Sequence, residues 1–130
     1  MGFAVNFDHS RRIITMSFTG RVDYATLIGH ITSLMRHAEY DKDYDGICDT
    51  RAAHLELSYD DLIRFRAWLE TQNKDGKARG RWAIVAESNL NFGTSRMWEG
   101  LSSGYYRDLQ VFKNEEDARK WLQSTPEQEG

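Results

Sequence analysis

The sequence has one cysteine, one proline, no excess of basic residues and no long apolar run, and each shortage excludes something. With Cys48 alone, an intrachain disulfide is impossible, and a reducing compartment is the expected setting. The formal net charge is −3 and Lys and Arg are scattered, which argues against a nucleic-acid partner, because neutralising phosphates takes a basic face. No stretch approaches a membrane span in length, and the first residues lack the apolar core of a signal peptide. Asn6 stands where an N-myristoylation pattern needs Ser or Thr. A cytoplasmic protein with no membrane span is the expectation.

What is present suits one packed domain. The 130 residues are 40% hydrophobic and include six Phe, four Trp and six Tyr, the composition of an ordinary globular core. A chain of this size buries roughly 68–70% of its unfolded surface and needs neither disulfide nor metal to fold. Residues 1–123 make the expected domain, and 124–130, which hold the only proline, read as a flexible tail.

Hydrophobic periodicity sets the order of elements. Residues 3–7 (FAVNF) and 12–18 (RIITMSF) flank the polar turn Asp8-His9-Ser10-Arg11, which predicts an antiparallel hairpin. In the second run the bulkier Ile14, Met16 and Phe18 are expected on the core, and Gly20 is expected to end the strand. Asp23 is placed to cap a helix in which Tyr24, Leu27, Ile28, Ile31, Leu34, Met35 and Ala38 recur at helical spacing. His30 and His37 fall on its opposite, solvated side. A short strand at Gly46 to Asp49 follows. Ser58, with Asp61 three residues on and Leu57 before it, gives the clearest helix start, and Leu62, Phe65 and Leu69 form the buried stripe. Lys74 to Lys77 make a polar loop. Residues 82–86 (WAIVA) are apolar without alternation, as in a central strand covered on both faces. A helix carrying Leu90, Met97, Trp98 and Leu101 comes next, with Gly93 and Gly100 expected to let its backbone approach the sheet. Leu109 to Phe112 is the last strand. Asn114 caps a helix opened by Glu115-Glu116-Asp117, acids matched to the positive end of its dipole, with Ala118, Trp121 and Leu122 turned inward. The order ββαβαβαβα predicts an α/β fold whose last three strands form a mostly parallel layer.

This order resembles the SpoIIAA-like fold of STAS domains, a single-layer mixed β-sheet with an N-terminal antiparallel hairpin and helices packed on the sheet. The C-terminal third is similar to bacterial SpoIIAA-like proteins of unknown function, sometimes labelled STAS/SEC14-like. Their A-I-V-A strand matches Ala83-Ile84-Val85-Ala86, and their G-x-x-R-M-[FW]-E helix matches Gly93 to Glu99, with Arg96 and Met97 in place. Their V-F-x-[ND]-x-E-x-A-x-x-W-L ending matches Val111 to Leu122. The resemblance implies binding or regulation without bond-making chemistry and without a cofactor. Phosphorylated STAS domains carry their regulatory serine in a D-S-S-G turn after the third strand. Here that position reads Asp49-Thr50-Arg51-Ala52, so Ser58 is the remaining phosphosite candidate, and helix capping is its better reading.

Motifs with chemical potential fail on specific residues. Asp41 to Gly46 begins like a calcium loop, but the bidentate Glu is replaced by Ala52. Gly93-Thr94-Ser95-Arg96-Met97 sits like a nucleophile elbow, yet no histidine follows His54 to complete the chain order. His30 and His37 are about 10.5 Å apart along a helix, too far to share a zinc ion, and His9 and His54 fall in predicted loops. Cys48 lies in an apolar strand, where a lone cysteine is usually inert. His54, Ser58 and Asp60 are close in sequence with nothing to fix a triad. No metal site is expected.

Fold reasoning points elsewhere, to the strand ends that feed helices, where ligands of open α/β sheets collect. That rim is expected to hold Asp49, Thr50 and Arg51 after one strand and Glu87, Ser88 and Asn89 after the next. Arg51 suits an anion, helped by free amides near Leu90. Arg96 either faces this rim or pairs with an acid. Tyr105 and Tyr106, with Tyr40 and Tyr44, lie in predicted loops and are interface candidates. The leading expectation is a non-enzymatic domain that binds a protein partner, a second copy of itself included. The alternatives are a carrier or sensor for a small anionic or lipid-like ligand, and an enzyme using Asp49, Arg51 and Arg96.

Overall fold

The computed structural model describes residues 2–73 and 79–124. The two alternating N-terminal runs become β1 (Phe3–Asp8) and β2 (Ile13–Val22), paired antiparallel with Phe3 opposite Phe18 and Phe7 opposite Ile14. β2 then pairs in parallel with β3 (Asp45–Leu55), β3 with β4 (Arg81–Val85), and β4 with β5 (Asp108–Phe112). The result is one five-stranded sheet in the order β1-β2-β3-β4-β5. Its parallel layer has four strands, one more than expected, because β2 pairs in parallel with β3 from Ile13 opposite Asp45 onward; β2 also does not stop at Gly20. It passes through that residue at φ 75, a conformation open to glycine, and stays paired with β3 as far as Val22 and Leu55.

Four helices alternate with the parallel strands: α1 (Tyr24–Arg36), α2 (Tyr59–Gln72), α3 (Asn89–Leu101) and α4 (Glu115–Gln123). Each begins on a side-chain cap. Asp23 accepts from the Thr26 amide, Ser58 and Asp61 form a reciprocal capping box, Ser88 accepts from Asn91, and Asn114 from Asp117. Helices α1 to α3 cover one face of the sheet around Ile14, Met16, Phe18, Trp82 and Ile84. Helix α4 covers the other face around Ile47, Ala83 and Val85.

Several local expectations change. His30 is half-buried: its ring stacks on Phe3 and leans on Phe18, with centroids 5.1 and 5.2 Å away. Ala38 is exposed. In α3 the buried residues are Asn91, Thr94, Ser95 and Trp98, while Leu90 and Met97 stand exposed. Gly93 and Gly100 face open space, so the small side chains that let α3 approach the sheet are Thr94 and Ser95. The close approaches made by glycine occur at Gly46, where a Cβ would meet the Trp82 ring, and at Gly80, where it would meet the Tyr44 carbonyl. The Lys74 to Lys77 loop and residues 125–130 lie outside the described residues. Ser124 is held, since its carbonyl accepts from the Arg81 guanidinium at 3.0 Å.

Candidate functional site

The expected rim exists, but in altered form. Strand β3 does not end at Asp49; it runs on to Leu55. Asp49 is the last residue of β3 paired with β4, opposite Val85, and a register shift against β2 falls at Thr50 and Arg51. Two residues there oppose one, as in a β-bulge, which turns the strand locally. His54, expected in a loop, lies in this extension of β3 and is exposed.

At the bulge the charges are spent on each other. Asp49 receives the Arg51 Nε at 3.0 Å and Nη2 at 2.9 Å, and its Oδ1 also accepts from the Arg51 backbone amide. This holds the Asp49 carboxyl below the usual carboxylate range. The same Nη2 reaches Glu115 at 3.3 Å, and Glu115 binds Arg119 at 2.7 Å. Arg51 thus joins two carboxylates, which leaves little of the unpaired charge an anion would need. Ser88 is occupied as the α3 cap, with the exposed Glu87 and Asn89 on either side. Arg96 pairs with Glu99 on its own helix at 3.0 Å, and not with Asp49. Ser58 is likewise engaged by its capping box.

The residue that organises this rim was not singled out from the sequence. Asn91 is buried, and its Nδ2 donates to the carbonyls of Thr50 and Ala53 while its Oδ1 accepts from the Leu55 amide. It satisfies the stretch of β3 that β4 has stopped pairing. The Thr50 hydroxyl donates to the Val85 carbonyl at 2.8 Å across the same gap. An Asn three residues after a Ser cap, at helical spacing with Thr94, Ser95 and Trp98, was the available signal.

A second feature lies beneath the helices. Between the sheet and α1 to α3 is a cavity of about 90 Å³, walled chiefly by apolar side chains including Met16, Phe18, Leu62, Phe65, Ile84 and Trp98. Thr94 and Ser95 of α3 also line it, as do Cys48 and Tyr106. A smaller void of about 50 Å³ shares Met16, Ile31, Trp82 and Tyr106 as walls and extends towards Asn73 and Tyr105. Burial pushes the Cys48 thiol up to about 12, so the sulfur is neutral and a poor nucleophile.

Tyr105 and Tyr106 do fall in the α3–β5 connection, but they point inward. Tyr105 is 2% exposed and contacts the Asn73 amide, and Tyr106 packs against Trp82, Trp98 and Tyr105. The turn folds its rings over the end of the core because Arg66 holds the carbonyls of Leu101 and Ser103. Tyr44 is tied to His9 at 2.8 Å, and His9 to Glu39 at 2.7 Å. Asp45 of the calcium-like loop serves the Arg81 amide. Among the described residues no cluster of three or more His, Cys, Asp or Glu is placed to hold a metal ion, and no helix is long and apolar enough to cross a membrane.

No protein-family model matches this chain, and neither does any curated protein. Among solved structures it is similar to an uncharacterised protein of the DUF3478 family from Shewanella loihica PV-4, described as having a SpoIIAA-like fold. The match has a TM-score of 0.56 at 20% identity and covers 93% of this chain and 94% of the other. The chain therefore has the SpoIIAA-like α/β fold that its element order pointed to.

Proposed function

We propose that this domain works by binding, without bond-making chemistry, and that its ligand is a small, largely apolar molecule held between the sheet and helices α1 to α3. The cavity of about 90 Å³ carries the reading. Protein interiors pack with few voids larger than a water molecule. Leaving such a space unfilled costs the contacts its walls would otherwise make. A bound ligand offsets that cost. The size also decides between ligand classes: a cavity of about 150 Å³ takes benzene, so this one is too small for a lipid acyl chain. The anionic alternative loses support at the rim, where Arg51 is already shared by Asp49 and Glu115.

Xenon uptake tests the reading. Under xenon pressure, methyl resonances of Met16, Leu62 and Ile84 are expected to shift saturably, and Ser95→Leu is expected to fill the space and abolish the shifts. Absence of saturable shifts in the wild-type protein would sink the proposal.

A protein partner is the second reading, favoured by exposed apolar side chains on neighbouring helices: Tyr59 and Ile63 of α2, and Leu90 and Met97 of α3. The buried Tyr105 gives such an interface no support. Light scattering should then show an assembly that Leu90→Ser with Met97→Ser disperses; a monomer at all concentrations rejects self-association.

A further inference from the structure

Among the described residues six polar or charged side chains are buried: Thr50, Arg81, Asn91, Thr94, Ser95 and Ser102. Four of them use their side chains in hydrogen bonds, Thr50 to Val85, Arg81 to the end of α4, Asn91 to β3 and Ser102 to Glu99. The hydroxyls of Thr94 and Ser95, 6% and 3% exposed, make no hydrogen bond to the protein, and both residues line the cavity. Buried hydroxyls in native proteins almost always find a partner. Here two adjacent ones have no protein partner, their oxygens stay accessible, and their residues line the same apolar space.

We infer that the cavity selects a small neutral amphiphile, an apolar body of about four carbons bearing one hydrogen-bonding group such as an alcohol or ketone, with Thr94 and Ser95 as its specificity residues. This rests on the binding reading above and adds the chemistry of the ligand. The carbon count follows from scaling the benzene-sized cavity down to about 90 Å³. Neutrality follows from the walls. The ionisable side chains among them are Cys48 and Tyr106, both kept uncharged by burial, so an ion would enter without a counter-charge. A wholly apolar guest would make no hydrogen bond to either hydroxyl.

The test compares xenon with butan-1-ol and butanone, read by methyl NMR titration on the wild-type protein and on Thr94→Val/Ser95→Ala. The expected result is that both four-carbon probes bind the wild type about fivefold more tightly than the variant, while xenon binds the two within about twofold. Thr94→Val alone, nearly isosteric, serves if the double variant does not fold. Equal affinity of the alcohol and ketone for both proteins, with xenon still binding, overturns this inference and leaves the binding reading standing. So does an ordered water that bridges Thr94 and Ser95 and excludes the alcohol. Failure of xenon and of both four-carbon probes to bind the wild type overturns the two together.

Discussion

Under α4 the sheet presents Ile47, Ala83 and Val85, and the helix answers with Ala118 and Leu122. Under α1 to α3 it presents Met16, Phe18, Cys48, Trp82 and Ile84 against Leu62, Phe65 and Trp98. The first set is small and tightly buried: Ala83, Val85 and Ala118 are 0% exposed, and none of the five lines either of the two spaces described. The second is large and aromatic, and it leaves space. Small side chains let a helix settle until backbones limit the approach. Rings are rigid and meet in a few preferred geometries, so several together fill a space imperfectly unless their neighbours are shaped to them. One sheet therefore supports a sealed face and a face with room for a guest.

Truncating the sealed face gives the largest effect. Ile47→Ala should lower unfolding free energy by roughly 2–5 kcal/mol, read from urea denaturation, because nothing on that side can relax into the gap. A loss below about 1 kcal/mol would mean that the face repacks freely and the contrast is false. Enlarging Ala118 to Leu should destabilise by roughly 1–3 kcal/mol through overpacking. The same kind of change on the other face should reverse sign. Ser95→Val adds methyl groups to the cavity and removes an unpartnered hydroxyl, and should raise stability by about 0.5–2 kcal/mol. Destabilisation by both enlargements would erase the distinction between the faces.

Smaller effects come from the margins. Burial between Phe3 and Phe18 holds the His30 imidazole below its ordinary value of 6.5. The unfolded chain therefore takes up a proton before the folded one, and the His30 contribution is fully present above about pH 6.5. It is lost as pH falls from there through the lowered folded value. Melting temperatures measured from pH 7.5 to 5 should show this slope in the wild type and not in His30→Gln; identical slopes would refute it. Last, Arg51→Ala should change stability by less than about 1 kcal/mol, since its ion pairs are exposed to water, and should leave xenon binding untouched.

The legible parts of the fold were those fixed by local chemistry. Asp23, Ser58 and Asn114 announce helix starts because their short oxygens suit the free amides of a first turn. The alternation around Ile14, Met16 and Phe18 fixes which way β2 faces. The second half of β3 was not legible, because Thr50 to His54 has no strong apolar alternation and has a strand on one side only. Helix α3 was legible only in part: Trp98 is buried and Leu101 packs on the core as expected, but Asn91, Thr94 and Ser95 complete the buried stripe while Leu90 and Met97 lie outside. The cavity was beyond sequence reasoning altogether. It depends on how side chains from three helices, four strands and the connections between them fail to meet, and no single stretch records that.

The reach of Asn91 has a consequence for how this molecule behaves among copies of itself. Beyond Asp49, β3 has outlived its neighbour β4, and a bare strand end is a template onto which another chain can add. The carboxamide occupies the carbonyls of Thr50 and Ala53 and the amide of Leu55, so that template is already read. One side chain does for the sheet what a further strand would otherwise do, and growth by strand addition is directed away from this interior step to the outer strands β1 and β5.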